Sequence, residues 1–169
     1  MELKEVLLKR RSIRKFKDTK VSDEIINELL HAAMSGPSAC NRRPWDFYVV
    51  KNEEVLENVR KASIVGRMKA PLAIVVVGNL KRSLPLQLST YWIQDCSAAT
   101  ENILLRVTDL GLGAVWCGAH PQKMVEEKLR KCLNLNDKQV PLNIIWIGYP
   151  DEEVEPRDQY EEERVHIIE

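Results

Sequence analysis

Leu72-Ala73-Ile74-Val75-Val76-Val77 is an apolar run, mostly β-branched, with no polar residue in it. Side chains of a strand alternate between the two faces of a sheet, so a run without a polar position must be covered on both sides. It therefore reads as a central strand, with regular elements on either side of it in sequence. Upstream, Trp45-Asp46-Phe47-Tyr48-Val49-Val50 reads as a second strand, and Asn52 is placed to cap a short helix through about Lys61. Downstream, the longest helical stretch runs from about Ser89 to Leu110, with small or apolar residues at Ile93, Cys96, Ala98, Ala99, Ile103, Leu104 and Val107. Gly111 stands where a helix C-cap wants a left-handed residue.

Further outward, Leu3, Val6 and Leu7 mark a first helix that yields near Arg11, where Ser12 to Phe16 alternates polar and apolar residues. Ser22 suits the N-cap of a second helix, with Asp23 and Glu24 at the positive end of its dipole and Gly36-Pro37 as its stop. A strand at Gly113 to Cys117, a helix from about Pro121 to Cys132 and a strand at Leu142 to Tyr149 complete the order. Helices interleaved with strands predict an α+β or α/β protein with helices covering a mixed sheet.

A chain of 169 residues is one domain, 1–169, with a substantial core. Its 44% hydrophobic and 30% charged residues exclude collagen-like, low-complexity and wholly disordered classes. No apolar run approaches the length of a membrane span, and Met1 is followed by Glu2 and Lys4 without an apolar signal core, so the expectation is a cytoplasmic protein without a membrane partner. The four cysteines have no CxxC spacing and the three histidines are scattered, which predicts neither a metal centre nor a disulfide framework. The net charge is zero, yet Lys4, Lys9, Arg10, Arg11, Arg14, Lys15, Lys17 and Lys20 crowd the start while acids dominate from Asp151 onward. That final segment still contains Val154, Tyr160, Val165, Ile167 and Ile168, the composition of an arm that packs on a second subunit rather than of a solvated tail.

Three segments carry candidate chemistry. In Arg10-Arg11-Ser12-Ile13-Arg14, three guanidinium groups and a hydroxyl lie within five residues, and in an extended backbone Ser12 and Arg14 share a face and can meet one anion, phosphate above all. A solvated basic helix end explains the same residues equally well. A nucleic-acid patch fits less well, because only Phe16 could stack a base and the overall charge is neutral. Pro37-Ser38-Ala39-Cys40-Asn41-Arg42-Arg43-Pro44-Trp45 is a loop stiffened by prolines, whose small residues can lie flat on a planar ligand. Gly111-Leu112-Gly113-Ala114-Val115-Trp116-Cys117-Gly118 has the glycines of a dinucleotide loop in the wrong order, helix before strand, so Gly111 and Gly113 read as a cap and a turn. Gly118, just past a strand end, permits close approach of backbone to a ligand. Cys40 and Cys117 have no nearby base in sequence and read as packing residues; His31 reads as structural and His120 as a loop residue.

Jointly, these segments, together with Gln94-Asp95, Leu110-Gly111-Leu112-Gly113 and Ile147-Gly148-Tyr149-Pro150, resemble the nitroreductase family of FMN-dependent oxidoreductases over nearly the whole chain. The resemblance implies a three-layer α-β-α sandwich, a homodimer with FMN at the subunit interface, and a domain-swapped C-terminal arm, 151–169. It further implies hydride passage from NADH or NADPH through flavin, in a ping-pong cycle, to a small planar acceptor such as a nitroaromatic, a quinone or free flavin. By likeness, Arg10, Ser12 and Arg157 hold the flavin phosphate and ribityl chain, and Arg14, with Arg11 nearby, approaches the N1/O2 edge of the ring. A cation there stabilises the negative charge of the reduced ring, and the flavin itself carries the chemistry, so no catalytic side chain is implied. Pro37, Ser38, Ala39 and Asn41 would border the flavin from the other subunit, and Val115, Trp116, Cys117 and Gly118 would cover the ring, with the Cys117 N–H directed at N5.

The chain departs from the family pattern in three places. Asn79 to Ser89 is only a brief loop containing Pro85, which leaves the substrate side open; Arg157 is followed by Asp158 and Gln159 where relatives have a second basic residue; and Cys40 stands where a small hydroxyl residue is usual. Two other functions remain readable in the sequence: a flavin storage or sensor protein without NAD(P)H turnover, and a basic-arm nucleic-acid binder.

Overall fold

The computed structural model describes residues 1–63 and 68–169. The apolar run falls in β2 (Leu72–Asn79), which lies between β1 (Trp45–Val50) and β4 (Gln139–Gly148), with β3 (Gly113–Gly118) on the far side of β4. The expected mixed sheet is corrected: all three pairings within this sheet are antiparallel. Strands β2 and β3 run the same way and are joined through a long helix, which is the pattern that suggests parallel pairing. The last strand, β4, inserts between them in the opposite sense and makes both contacts antiparallel.

Alternation then sorts the side chains. Ile74, Val76, Ala114, Ile145 and Ile147 face α2 (Asp23–Met34) and α4 (Tyr91–Asp109), while Ala73, Val75, Val115, Ile144 and Trp146 face α3 (Glu53–Ala62) and α5 (Lys123–Cys132). Helices therefore cover both faces, and each fully buried Leu or Ile contributes about 1.5–3 kcal/mol. The remaining helix, α1 (Leu3–Lys9), packs on α4.

The element boundaries follow local chemistry. Ser22 Oγ accepts the Ile25 N–H at 3.4 Å and Asn52 Oδ1 accepts that of Val55 at 3.1 Å, so both expected caps are in place. Gly111, at φ +73°, ends α4. That helix begins at Tyr91, after a single 3-10 turn, Leu86–Leu88. Strand β4 begins at Gln139, three residues before the expected start, because the ladder continues through a bulge. Val76 pairs with Asn143 and Val77 with Pro141, so Leu142 is the extra residue, and Pro141, which has no N–H to donate, sits at the irregularity.

The chain then doubles back along its own beginning. Phe16 bridges Pro150, the Asp151 N–H reaches Lys15 O at 3.0 Å, and the Arg157 N–H reaches Leu8 O at 3.1 Å. Beyond Arg157 the arm leaves its apolar residues bare: Ile168 is 95% exposed.

Candidate functional site

The antiparallel strap of 150–157 on 8–16 places Arg157 beside the helix end that carries Arg10, an approach across nearly the whole chain length. The two ends meet within the molecule mainly through backbone groups. Arg11 donates to the Glu155 carbonyl, and Arg10 lies 3.5 Å from Glu101 of α4. Glu152 accepts the backbone N–H of Arg14. Glu101 and Glu152 are acidic partners that sequence reasoning missed; for Glu152 the excess of acids after Asp151 against a basic start was the available signal.

The basic segment also lies along β3. Ser12 pairs with Ala114 in an isolated parallel bridge, and the Ile13 N–H donates to Ala114 O at 2.9 Å. That contact fixes the parity of the strand. Ala114 turns its polar backbone groups away from β4, and the Ala119 N–H points the other way, to Leu142 O at 2.9 Å. Between them, in an unbroken register, Trp116 and Gly118 direct their N–H groups to the free edge, and Cys117 directs its own toward Ile144 of β4. The Cys117 amide is thus spent on the ladder, and the outward donors at this end of β3 are those of Trp116 and Gly118. The side chain of Val115 is buried in the core beneath α3 and α5, so only its backbone lies at the edge. Trp116 is part-exposed, and a Cβ placed on Gly118 would meet no atom within 4 Å. This open flank, with guanidinium groups beside it, suits an anionic ligand that has a flat face.

Arg14 ties the two parts together. Its guanidinium donates to Ser12 O at 3.5 Å, a long bond, and lies near enough to Cys117 to favour a thiolate there. Burial outweighs that influence and pushes the Cys117 thiol up.

The loop after α2 is held by its own set of bonds. Ala39 donates its N–H to Asp95 of α4 at 2.8 Å, Ser38 Oγ accepts from the Arg43 N–H at 2.9 Å, and Arg42 Nε donates to Arg82 O at 2.8 Å. Cys40, Asn41 and Arg43 all adopt positive φ, an unusual concentration of left-handed residues that lack the freedom of glycine. The loop is tied to α4 through Ala39 and Asp95, while Arg10 reaches Glu101 on the same helix. Of the histidines, His120 pairs through Nδ1 with the buried Glu126 at 2.7 Å and packs edge-on against Trp92. Among the described residues no group of three or more His, Cys, Asp or Glu could hold a metal ion, and no helix is long and apolar enough to cross a membrane.

Fold and site together define an α+β protein with a basic N-terminal segment along an open strand edge. A family model, Nitroreductase family, matches residues 7–67 and 67–149, and the chain belongs to that family. A Methanothermobacter thermautotrophicus protein with the provisional name NADH dehydrogenase/NAD(P)H nitroreductase is 40% identical over 99% of this chain and 87% of its own length. A crystal structure from Parabacteroides distasonis, under the same provisional name, superposes with a TM-score of 0.92 at 38% identity, covering 99% of this chain and 98% of the other. An FMN-dependent nitroreductase from Clostridium difficile superposes with a TM-score of 0.87 at 33% identity, covering 96% of each chain.

Proposed function

We propose that the protein is an FMN-dependent oxidoreductase that passes hydride from NADH or NADPH to a small planar acceptor such as a nitroaromatic, a quinone or a flavin. The observation that carries this reading is that the Arg10 to Arg14 segment lies along the edge of β3, with the backbone of Arg157 bonded back to Leu8, where the Trp116 and Gly118 N–H groups point outward. Family membership and the neighbour named for FMN support it. The residues fit the group: Arg10, Ser12 and Arg157 offer donors and positive charge to a phosphate, and the bare flank of Gly118 leaves room for a flat ring. When bound, FMN supplies the two-electron chemistry. The chain's own part is to bind the phosphate, to place the Arg14 cation at the N1/O2 edge of the ring, and to offer backbone donors from Trp116 and Gly118 toward N5 and its neighbours.

The single domain 1–169 forms, in this reading, a three-layer α-β-α sandwich that acts as a cytoplasmic homodimer, with 151–169 as a swapped arm and Pro37, Ser38, Ala39 and Asn41 bordering the partner's flavin. The bare apolar residues beyond Arg157 support a second copy as the arm's partner. Neither nucleic acid nor membrane has a role in it.

The test is a visible spectrum after FMN addition and desalting, followed by anaerobic NADH or NADPH in the same cuvette. Retained flavin that bleaches is expected. Retained flavin that neither nucleotide bleaches would favour storage or sensing. Loss of all flavin on desalting, with salt-dependent binding to nucleic acid, would overturn the assignment.

A further inference from the structure

One oxygen of Glu152, Oε1, accepts the backbone N–H of Arg14 at 2.5 Å and that of Lys15 at 3.1 Å. The Arg14 N–H, more than any neighbouring charge, holds the Glu152 carboxyl below its ordinary range. The same stretch is gripped twice more from the arm, by the Asp151 N–H on Lys15 O at 3.0 Å and by the bridge between Phe16 and Pro150. By contrast, the Arg14 guanidinium has one long bond, at 3.5 Å to Ser12 O. Its direction toward the end of β3 is therefore set by its backbone, which β3 holds on one side through the Ile13 bond to Ala114 and Glu152 holds at Arg14 itself.

We propose that Glu152 is a positioning residue, which aims Arg14 at the flavin edge by holding two adjacent peptide N–H groups, so that seating the root of the arm raises the midpoint potential of the bound flavin. This rests on the flavin reading above. Geometry and charge make opposite demands here. A bare carboxylate near Arg14 would offset its cation, so its removal by charge alone would raise the potential, whereas the loss of positioning lowers it.

The experiment compares Glu152→Ala and Glu152→Gln, with backbone amide exchange read on the chain without flavin, and FMN affinity and midpoint potential read on the holoprotein. Glu152→Ala is expected to speed exchange at Arg14 and Lys15, lower the potential and weaken FMN about tenfold. Glu152→Gln, which keeps an acceptor oxygen but loses the charge, is expected to leave exchange and FMN affinity near wild type and to leave the potential unchanged or raise it. The double variant Glu152→Ala/Arg14→Ala is expected to show no potential below that of Arg14→Ala alone, because the loss of positioning acts only through Arg14. Unchanged exchange in Glu152→Ala, faster exchange with an unchanged potential, or a raised potential in both single variants would each overturn the proposal. Failure of the wild type to retain FMN would instead overturn the flavin reading, and the positioning role with it, while the exchange data would still report the Glu152 contacts.

Discussion

Replacing Gly118 by valine separates folding from ligand binding at one atom's distance. Gly118 lies on an edge strand, its φ is outside the left-handed region, and no atom stands within 4 Å of where its Cβ would be. A branched side chain is at home on a strand, so stability is expected to change by no more than about 0.5 kcal/mol. If a flavin ring lies against this flank, the new methyl groups occupy its contact surface, and a forced displacement of that size costs about 1–3 kcal/mol. That corresponds to roughly 5- to 150-fold weaker FMN. Gly78 provides the internal contrast, because a Cβ there would stand 2.1 Å from Trp92 Cε3, so Gly78→Ala is expected to destabilise the fold itself. The assay is FMN titration by flavin fluorescence alongside thermal unfolding of each variant. Gly118→Val with unchanged melting and FMN affinity within about twofold of wild type would refute the placement of the ring against β3.

Arg14→Ala is expected to lower the midpoint potential or weaken FMN, and Arg10→Ala to weaken FMN through the phosphate; unchanged affinity and potential would remove each from its role. Iodoacetamide followed by peptide mass spectrometry should modify the exposed Cys40 in the native chain and spare the buried Cys96, whose thiol burial pushes up. Added FMN should slow Cys40 if its loop borders the flavin, and an unaltered rate would separate that loop from the site. Acid should loosen the N-terminal region. Asp109, bonded by the Met1 amino group, and Glu152, bonded by the Arg14 N–H, both have carboxyls held below the ordinary range. Groups lowered by folding stabilise above their unfolded pKa of about 4 and lose that contribution as pH falls through the folded value. Melting temperature should therefore fall from about pH 5 to pH 3, and a flat profile would contradict these bonds.

Much of this architecture was legible because local chemistry alone decides it. Burial without polar interruption made 72–77 a central strand, Ser22 and Asn52 announced two helix starts, and Gly111 a helix end. The concentration of arginine from Arg10 to Arg14 was equally plain in the sequence. Sheet direction was not legible, since β2 and β3 satisfy the rule for strands joined by a helix and only the insertion of β4 between them makes each contact antiparallel.

The partners of the basic segment were also beyond local reading. Glu101, Glu152 and Glu155 stand far from it in sequence, and only the folding of the arm back over α1 brings two of them within reach. The same holds for which amides of β3 are free. Residue type says nothing about the direction of a backbone N–H, whereas the bond from Ile13 to Ala114 fixes the alternation for the whole strand and turns Trp116 and Gly118, not Cys117, to the open edge. Composition and spacing thus determined which elements form and where charge gathers. The register between distant segments decided which groups face the site, because hydrogen-bond parity is a property of paired chains and not of any one of them.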